Sequence, residues 1–194
     1  MELYKGLPIF AVNANDATVF SSISLVDIPA IETDFIKLAK EDEVGDLKLS
    51  INEEKKVISD PALIPDFPIY RKDSKGHKFY VKFDEEAILR FAEMFFKNNR
   101  QNEGNVMHQI AINGVTFFES YLINKERGIV PIEFKDLPNG SWIVSAKIEN
   151  EDVWKLVKEG VLRGFSVDIE NVSFDEIQNS EITSLKQLID YINK

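Results

Sequence analysis

Alternating apolar and polar positions dominate the first half of the chain and predict half-buried strands, because successive side chains on a strand point to opposite faces. Ile9-Phe10-Ala11-Val12 and Thr18-Val19-Phe20 flank a polar turn at Asn13-Ala14-Asn15-Asp16, and Ile23-Ser24-Leu25-Val26 leads into Pro29. Residues 39–47 break the pattern with charge and read as an exposed loop, the place for a hinge or an insertion. Leu47-Lys48-Leu49-Ser50-Ile51 and Lys56-Val57-Ile58-Ser59 alternate again on either side of Asn52-Glu53-Glu54, which predicts a hairpin. Pro61, Pro65 and Pro68 then enforce an extended path with few ladder donors. Strand character resumes at Ile69-Tyr70-Arg71 and Phe79-Tyr80-Val81-Lys82-Phe83, around Asp73-Ser74-Lys75-Gly76.

The period changes at Asp84, a short acidic residue able to cap a helix whose first turn holds Glu85 and Glu86. Ile88, Phe91, Ala92 and Phe95 follow the i, i+3, i+4, i+7 spacing of an apolar stripe that packs on a sheet, and Phe83 with Ile88 is placed for a hydrophobic staple. A second helix is predicted from Asn150, with Glu151 and Asp152 in its first turn, to about Gly160. A third starts near Ser184, with Gln187 placed for a capping box and Leu185, Leu188, Ile189 and Ile192 on one side. About eight to ten strands with three or four helices between and after them predict an α+β domain whose sheet or barrel is mostly antiparallel.

Composition narrows the classes. With 194 residues and 44% hydrophobic content the chain can bury one sizeable core, so a single domain over 1–194 is expected. No apolar run reaches about eighteen residues, and Met1-Glu2-Leu3-Tyr4-Lys5-Gly6 has neither the basic start nor the apolar segment of a signal peptide, so a soluble intracellular protein is expected, without membrane partners. The absence of cysteine excludes disulfide scaffolds, thiolate nucleophiles and cysteine-held zinc; neither a cofactor nor a metal is expected. A formal charge of −10, from 33 acidic against 23 basic residues, argues against a nucleic-acid surface and favours basic partners or simple solubility.

Two histidines make the search for chemistry short. His77, in Lys75-Gly76-His77-Lys78, reads as an exposed loop residue. His108 sits in Val106-Met107-His108-Gln109-Ile110-Ala111-Ile112, a strand-like run ending at Asn113-Gly114, a strong hairpin signal. If those two residues form the turn, Ile112 pairs with Val115 and His108 stands opposite Glu119. Directly opposed β-carbons are about 4.5–5.5 Å apart, close enough for a carboxylate to orient the ring and stabilise its protonated form. The same register also fits a purely structural polar pair. Without cysteine, a covalent nucleophile is a hydroxyl. Ser120 points away from His108 in this register. Ser166 lies in Gly164-Phe165-Ser166-Val167-Asp168-Ile169-Glu170, with Phe165, Val167 and Ile169 toward a core and Ser166, Asp168 and Glu170 on the other face, which is also the pattern of an ordinary solvent side.

Four stretches, taken in order, carry a resemblance: Ile23-Ser24-Leu25-Val26-Asp27-Ile28-Pro29-Ala30; Pro61-Ala62-Leu63-Ile64-Pro65-Asp66-Phe67-Pro68-Ile69-Tyr70-Arg71; His108 with Gly114 and Glu119-Ser120; and Gly164-Phe165-Ser166-Val167-Asp168. Together the chain resembles the XkdF-like branch of the phage prohead serine proteases, over about residues 20–172. That family looks related to herpesvirus maturation proteases, and the resemblance implies a small, mostly antiparallel β-barrel surrounded by helices. It implies His108 as general base and Ser166 as nucleophile. For the third member Glu119 is the first choice on hairpin geometry and Asp168 the second, with Glu170 and Glu176 still open; no histidine follows Ser166 to serve instead.

The implied activity is endopeptidase cleavage of the phage scaffold protein, the removable segment of the major capsid protein and the protease itself, inside a procapsid in the host cytoplasm. Backbone amides near Arg163-Gly164 are candidates for the oxyanion site. A protease-fold relative that no longer cuts and serves as a structural, scaffold-linked capsid component is the competing reading. Residues 173–194 fall outside the resemblance and read as a helical extension that packs on the domain, binds scaffold or joins a homo-oligomer.

Overall fold

The computed structural model describes residues 3–14, 18–27, 29, 36–37, 55–72, 76–170 and 173–175. In chain order the strands and helices are β1 (Leu3–Tyr4), β2 (Leu7–Asn13), β3 (Val19–Val26), β4 (Ile36–Lys37), β5 (Val57–Leu63), β6 (Ile69–Lys72), β7 (Lys78–Phe83), α1 (Glu85–Lys97), β8 (Gly104–Val106), β9 (Ile110–Ile112), β10 (Val115–Leu122), β11 (Trp142–Ile148), α2 (Glu151–Lys158), β12 (Gly164–Glu170) and β13 (Ser173–Asp175). The loop read at 39–47, the strand at 47–51 and the helix near Ser184 lie outside the described residues.

Both helices within the described residues begin where the sequence places their caps. Asp84 accepts the Ala87 amide at 2.8 Å, and Asn150 accepts the Val153 amide at 3.1 Å. Each side chain thereby satisfies one of the amides that a first helical turn leaves unpaired. After α2, Gly160 takes φ +71°, a conformation open to glycine at no Cβ cost, and the chain turns toward β12. No helix among the described residues is long and apolar enough to cross a membrane.

The strands form three sheets, and none of them closes. Their orders are β1-β2-β7-β6 with β13 also on β2, β10-β11-β5-β4, and β12-β3-β8-β9. This corrects the antiparallel barrel expected above: the sheets are open and mixed, with β2–β7 and β3–β8 parallel. Alternation along a strand says which side is buried, but not which strand lies alongside. Here consecutive strands repeatedly change sheet, as β2 and β3 do, so the sheets keep edges and meet through side chains instead of through one continuous ladder. Pro61 illustrates the local cost. It has no N–H for the β5–β11 ladder, and the register shifts there, with Pro61 opposite Ile143 but Leu63 opposite Trp142.

The sheets are joined by α1. Its residues Ile88, Phe91 and Phe95 are buried as the spacing predicts, Ala87 is buried with them, and Ala92 is only half-buried. The Phe95 ring lies 5.9 Å from Phe20 on β3, 5.6 Å from Phe117 on β10 and 5.8 Å from Trp142 on β11, all edge-on. Phe117 in turn lies 5.6 Å from Phe165. Edge-on aromatic pairs add about 0.5–1.5 kcal/mol each beyond area burial, so this cluster fixes the sheets relative to one another. It also anchors β12 at the residue just before Ser166.

Candidate active site

Ser166 lies on β12 and is only 7% exposed. Phe165 and Val167 on either side of it are buried in the core, which turns Ser166 and Asp168 together to the opposite face. On the neighbouring strand Ser24 stands opposite Ser166 and Ser22 opposite Asp168. One strand further, Asn105 stands beside Ser24.

His108 reaches this face from a turn. Val106 pairs with Ile110, leaving Met107-His108-Gln109 as the connection between β8 and β9. Met107 and His108 have φ of +54° and +57°, and the Gln109 amide donates to the Val106 carbonyl at 3.1 Å. Positive φ at both central residues is the signature of a type I′ turn. Neither residue is glycine, so the turn holds strain, although histidine tolerates this region better than most. From the turn, His108 Nδ1 lies 2.8 Å from Asp168 Oδ2. Ser22 Oγ donates to the same Oδ2 at 3.3 Å. Both the ring and the carboxylate remain partly open, at 31% and 41% side-chain exposure, so a substrate can reach them.

A cation completes the surroundings. Arg71, on β6 of a different sheet, is pushed below the usual guanidinium pKa by burial and pulled back up by the Asp168 carboxylate. Asp168 therefore contacts the imidazole directly and feels the Arg71 guanidinium of another sheet through charge. Among the described residues no group of three or more histidine or acidic side chains is arranged to hold a metal.

The structure separates the expected His108–Glu119 pair. The Asn113-Gly114 turn exists, with Gly114 at φ +78°, but it carries the chain from one sheet to another. β9 folds back on β8, while β10 pairs with β11. The Gly114 carbonyl accepts the amides of Glu149 and Asn150 at 2.7 and 3.2 Å, so contacts at the start of α2 hold the turn away from hairpin closure. Glu119 lies opposite Ser145 and accepts its hydroxyl at 2.6 Å. Ser59 contacts the Ser145 hydroxyl in turn.

The other candidates are placed as follows. Ser120 Oγ accepts the Trp142 indole N–H at 2.8 Å. His77 sits half-buried in the loop before β7, less exposed than its charged neighbours suggested. Glu170 ends β12 opposite Val19, and Glu176 lies outside the described residues. The Arg163 amide donates to the Val26 carbonyl at 2.8 Å, which commits that N–H to the backbone. Sequence reasoning missed Arg71 and Ser22 as neighbours of the carboxylate. Ser22 alternates with Ser24 on either side of Ile23, a visible signal; nothing local marks Arg71, which arrives by sheet packing.

A hydroxyl, an imidazole held through Nδ1 and a carboxylate on one open sheet face are the parts used by serine acyl-transfer enzymes. The family described as "Putative phage serine protease XkdF" matches residues 52–173, more than half of the 194 residues and inclusive of His108, Ser166 and Asp168. The chain belongs to that family of phage serine proteases. The match concerns the phage family and not the herpesvirus enzymes. No curated protein and no solved structure matches the chain.

Proposed function

We propose that this chain is a serine endopeptidase of phage head maturation, with Ser166 as nucleophile, His108 as general base and Asp168, not Glu119, as the acid that orients the imidazole. The observation that carries this reading is the 2.8 Å contact between His108 Nδ1 and Asp168 Oδ2, made from the same strand and the same face as Ser166. With Nδ1 held by the acid, Nε2 is the nitrogen that accepts the Ser166 proton as the oxygen attacks the peptide carbonyl. The same nitrogen then returns the proton to the leaving amine, and water repeats the sequence to release the acyl enzyme. Among the described residues β12 is the terminal strand of its sheet, so an extended peptide has an edge to lie along. The substrates are the scaffold protein, the major capsid protein and this chain itself, cut inside the assembling head in the host cytoplasm.

Co-expression with scaffold and capsid proteins is expected to give shortened products, and Ser166→Ala to leave them full length. Asp168→Asn should lower cleavage by about 10⁴-fold, the scale of losing the acid that sets the imidazole tautomer, whereas Glu119→Gln should leave cleavage close to wild type. Unchanged processing in Ser166→Ala would assign the chain to a non-cutting structural role or move the nucleophile. A Glu119→Gln loss with an active Asp168→Asn protein would exchange the two acids.

A further inference from the structure

We propose that Ser24 and Asn105 form a buried polar relay that positions the Ser166 hydroxyl for attack; the proposal rests on Ser166 being the nucleophile. Ser24 is completely buried. Its Oγ and the Oδ1 of Asn105 are both shielded from solvent without a hydrogen-bond partner. Buried polar atoms are nearly always satisfied, because an unmade bond leaves the full desolvation penalty in place. Two such atoms side by side, in register with a candidate nucleophile, indicate a network that closes in the working enzyme.

The ladder brings the three side chains into one row: Ser166 on β12, Ser24 on β3 and Asn105 on β8. Across the antiparallel Ser166–Ser24 pair the β-carbons are about 4.5–5.5 Å apart, and Asn105 is the register partner of Ser24 on its parallel side. In this structure the side chains of the row are not yet bonded to one another, so closing it takes a rotamer change at Ser24 and at Asn105 that brings the Asn105 NH2 to Ser24 Oγ. The donors then run one way. The Asn105 N–H donates to Ser24 Oγ, the Ser24 O–H donates to Ser166 Oγ, and the Ser166 O–H is left for His108 Nε2. A hydroxyl has a single hydrogen, so occupying the acceptor side of Ser166 with a donor directs its own proton toward the base. During attack the Ser166 proton moves to His108 while an Oγ lone pair forms the bond to the carbonyl carbon and the negative charge passes to the carbonyl oxygen; the Ser24 O–H stays on Oγ and holds its orientation. Ser24 precedes the span of the family match, which begins at residue 52, so this role is read from the ladder alone.

The test is the labelling of the full chain by a fluorophosphonate probe, with the inactivation rate (kinact) and probe affinity (KI) measured separately and thermal unfolding followed in parallel. Ser24→Ala removes one oxygen that has no partner, so Tm is expected to stay or rise. Its kinact should fall by about 10- to 100-fold, below the 10²–10³ seen on removing a direct oxyanion donor, with KI unchanged. Asn105→Ala should slow labelling in the same sense, and the double variant should be no slower than Ser24→Ala, since the two act as one chain. Wild-type or faster labelling of Ser24→Ala would overturn the relay, the faster rate meaning that the hydrogen bonds run in the opposite direction. A fall in kinact only in step with a lower Tm would make the pair structural. Failure of the wild type to label, or labelling of Ser166→Ala, would instead remove the nucleophile itself.

Discussion

Tyr121, on β10, lines a surface cavity with Ser59, Glu119 and Glu133. Its phenol is pushed up to about 12 by burial first and then by the Glu119 and Glu133 carboxylates. A raised pKa means that the fold prefers the neutral phenol. That preference contributes stability fully below the unfolded value of about 10 and loses it as pH climbs through the folded value. In an ultraviolet titration, one of the five tyrosines should therefore ionise with a midpoint near 12, and stability should decline between those two pH values. Glu119→Gln should lower that midpoint without returning it to 10, since burial remains; an unchanged midpoint would exclude the carboxylate's part. At this scale two histidines and no cysteine shortened the search, while the choice of Ser166 came from the family resemblance. The partner of His108 was not legible, because the Glu119 assignment assumed a ladder that the chain does not form, and Asp168 enters through pairing between β12, β3 and β8.

The hairpin that carries His108 depends on close approach. A β-carbon on Gly104 would lie 2.7 Å from the Val115 β-carbon and 3.1 Å from Ile112 Cγ1, so β8 runs against its neighbours with no space for a methyl group. Gly104→Ala should cost about 1–3 kcal/mol by overpacking and tilt the β8–β9 hairpin, lowering cleavage more than stability alone explains. Denaturant unfolding and processing assays on the same protein would show it, and a variant with native stability and full activity would contradict the packing. The starts of α1 and α2, at the Asp84 and Asn150 caps, were readable because caps and apolar spacing are local. The type I′ turn was misread for the same reason. Asn113-Gly114 has the better local chemistry for it, but contacts with Glu149 and Asn150, distant in sequence, draw that turn into a connection between sheets. Met107-His108 accepts the tight turn, with the strain that two left-handed residues carry.

At the scale of the molecule, Phe95 joins α1 to β3, β10 and β11. Phe95→Ala should lose about 3–5 kcal/mol and, by loosening the packing of Phe117 on Phe165, abolish processing before the protein unfolds completely. Measured unfolding within about 1 kcal/mol of wild type would show that another contact holds the sheets together. The sequence by itself determined the local features: the faces of the strands, the starts of the two capped helices, the lack of any thiol nucleophile, and the motifs that resemble a phage serine protease family, through which His108 and Ser166 are implied. Tertiary structure alone decided that the sheets stay open and mixed, that Asp168 meets His108, that Arg71 acts on Asp168, and that Ser24 and Asn105 line up with the serine. The division follows from physics. Side-chain periodicity and capping act over a few residues and are written in the local pattern, whereas strand partners are chosen by burial and ladder formation between segments far apart in the chain, for which many pairings satisfy the same alternation.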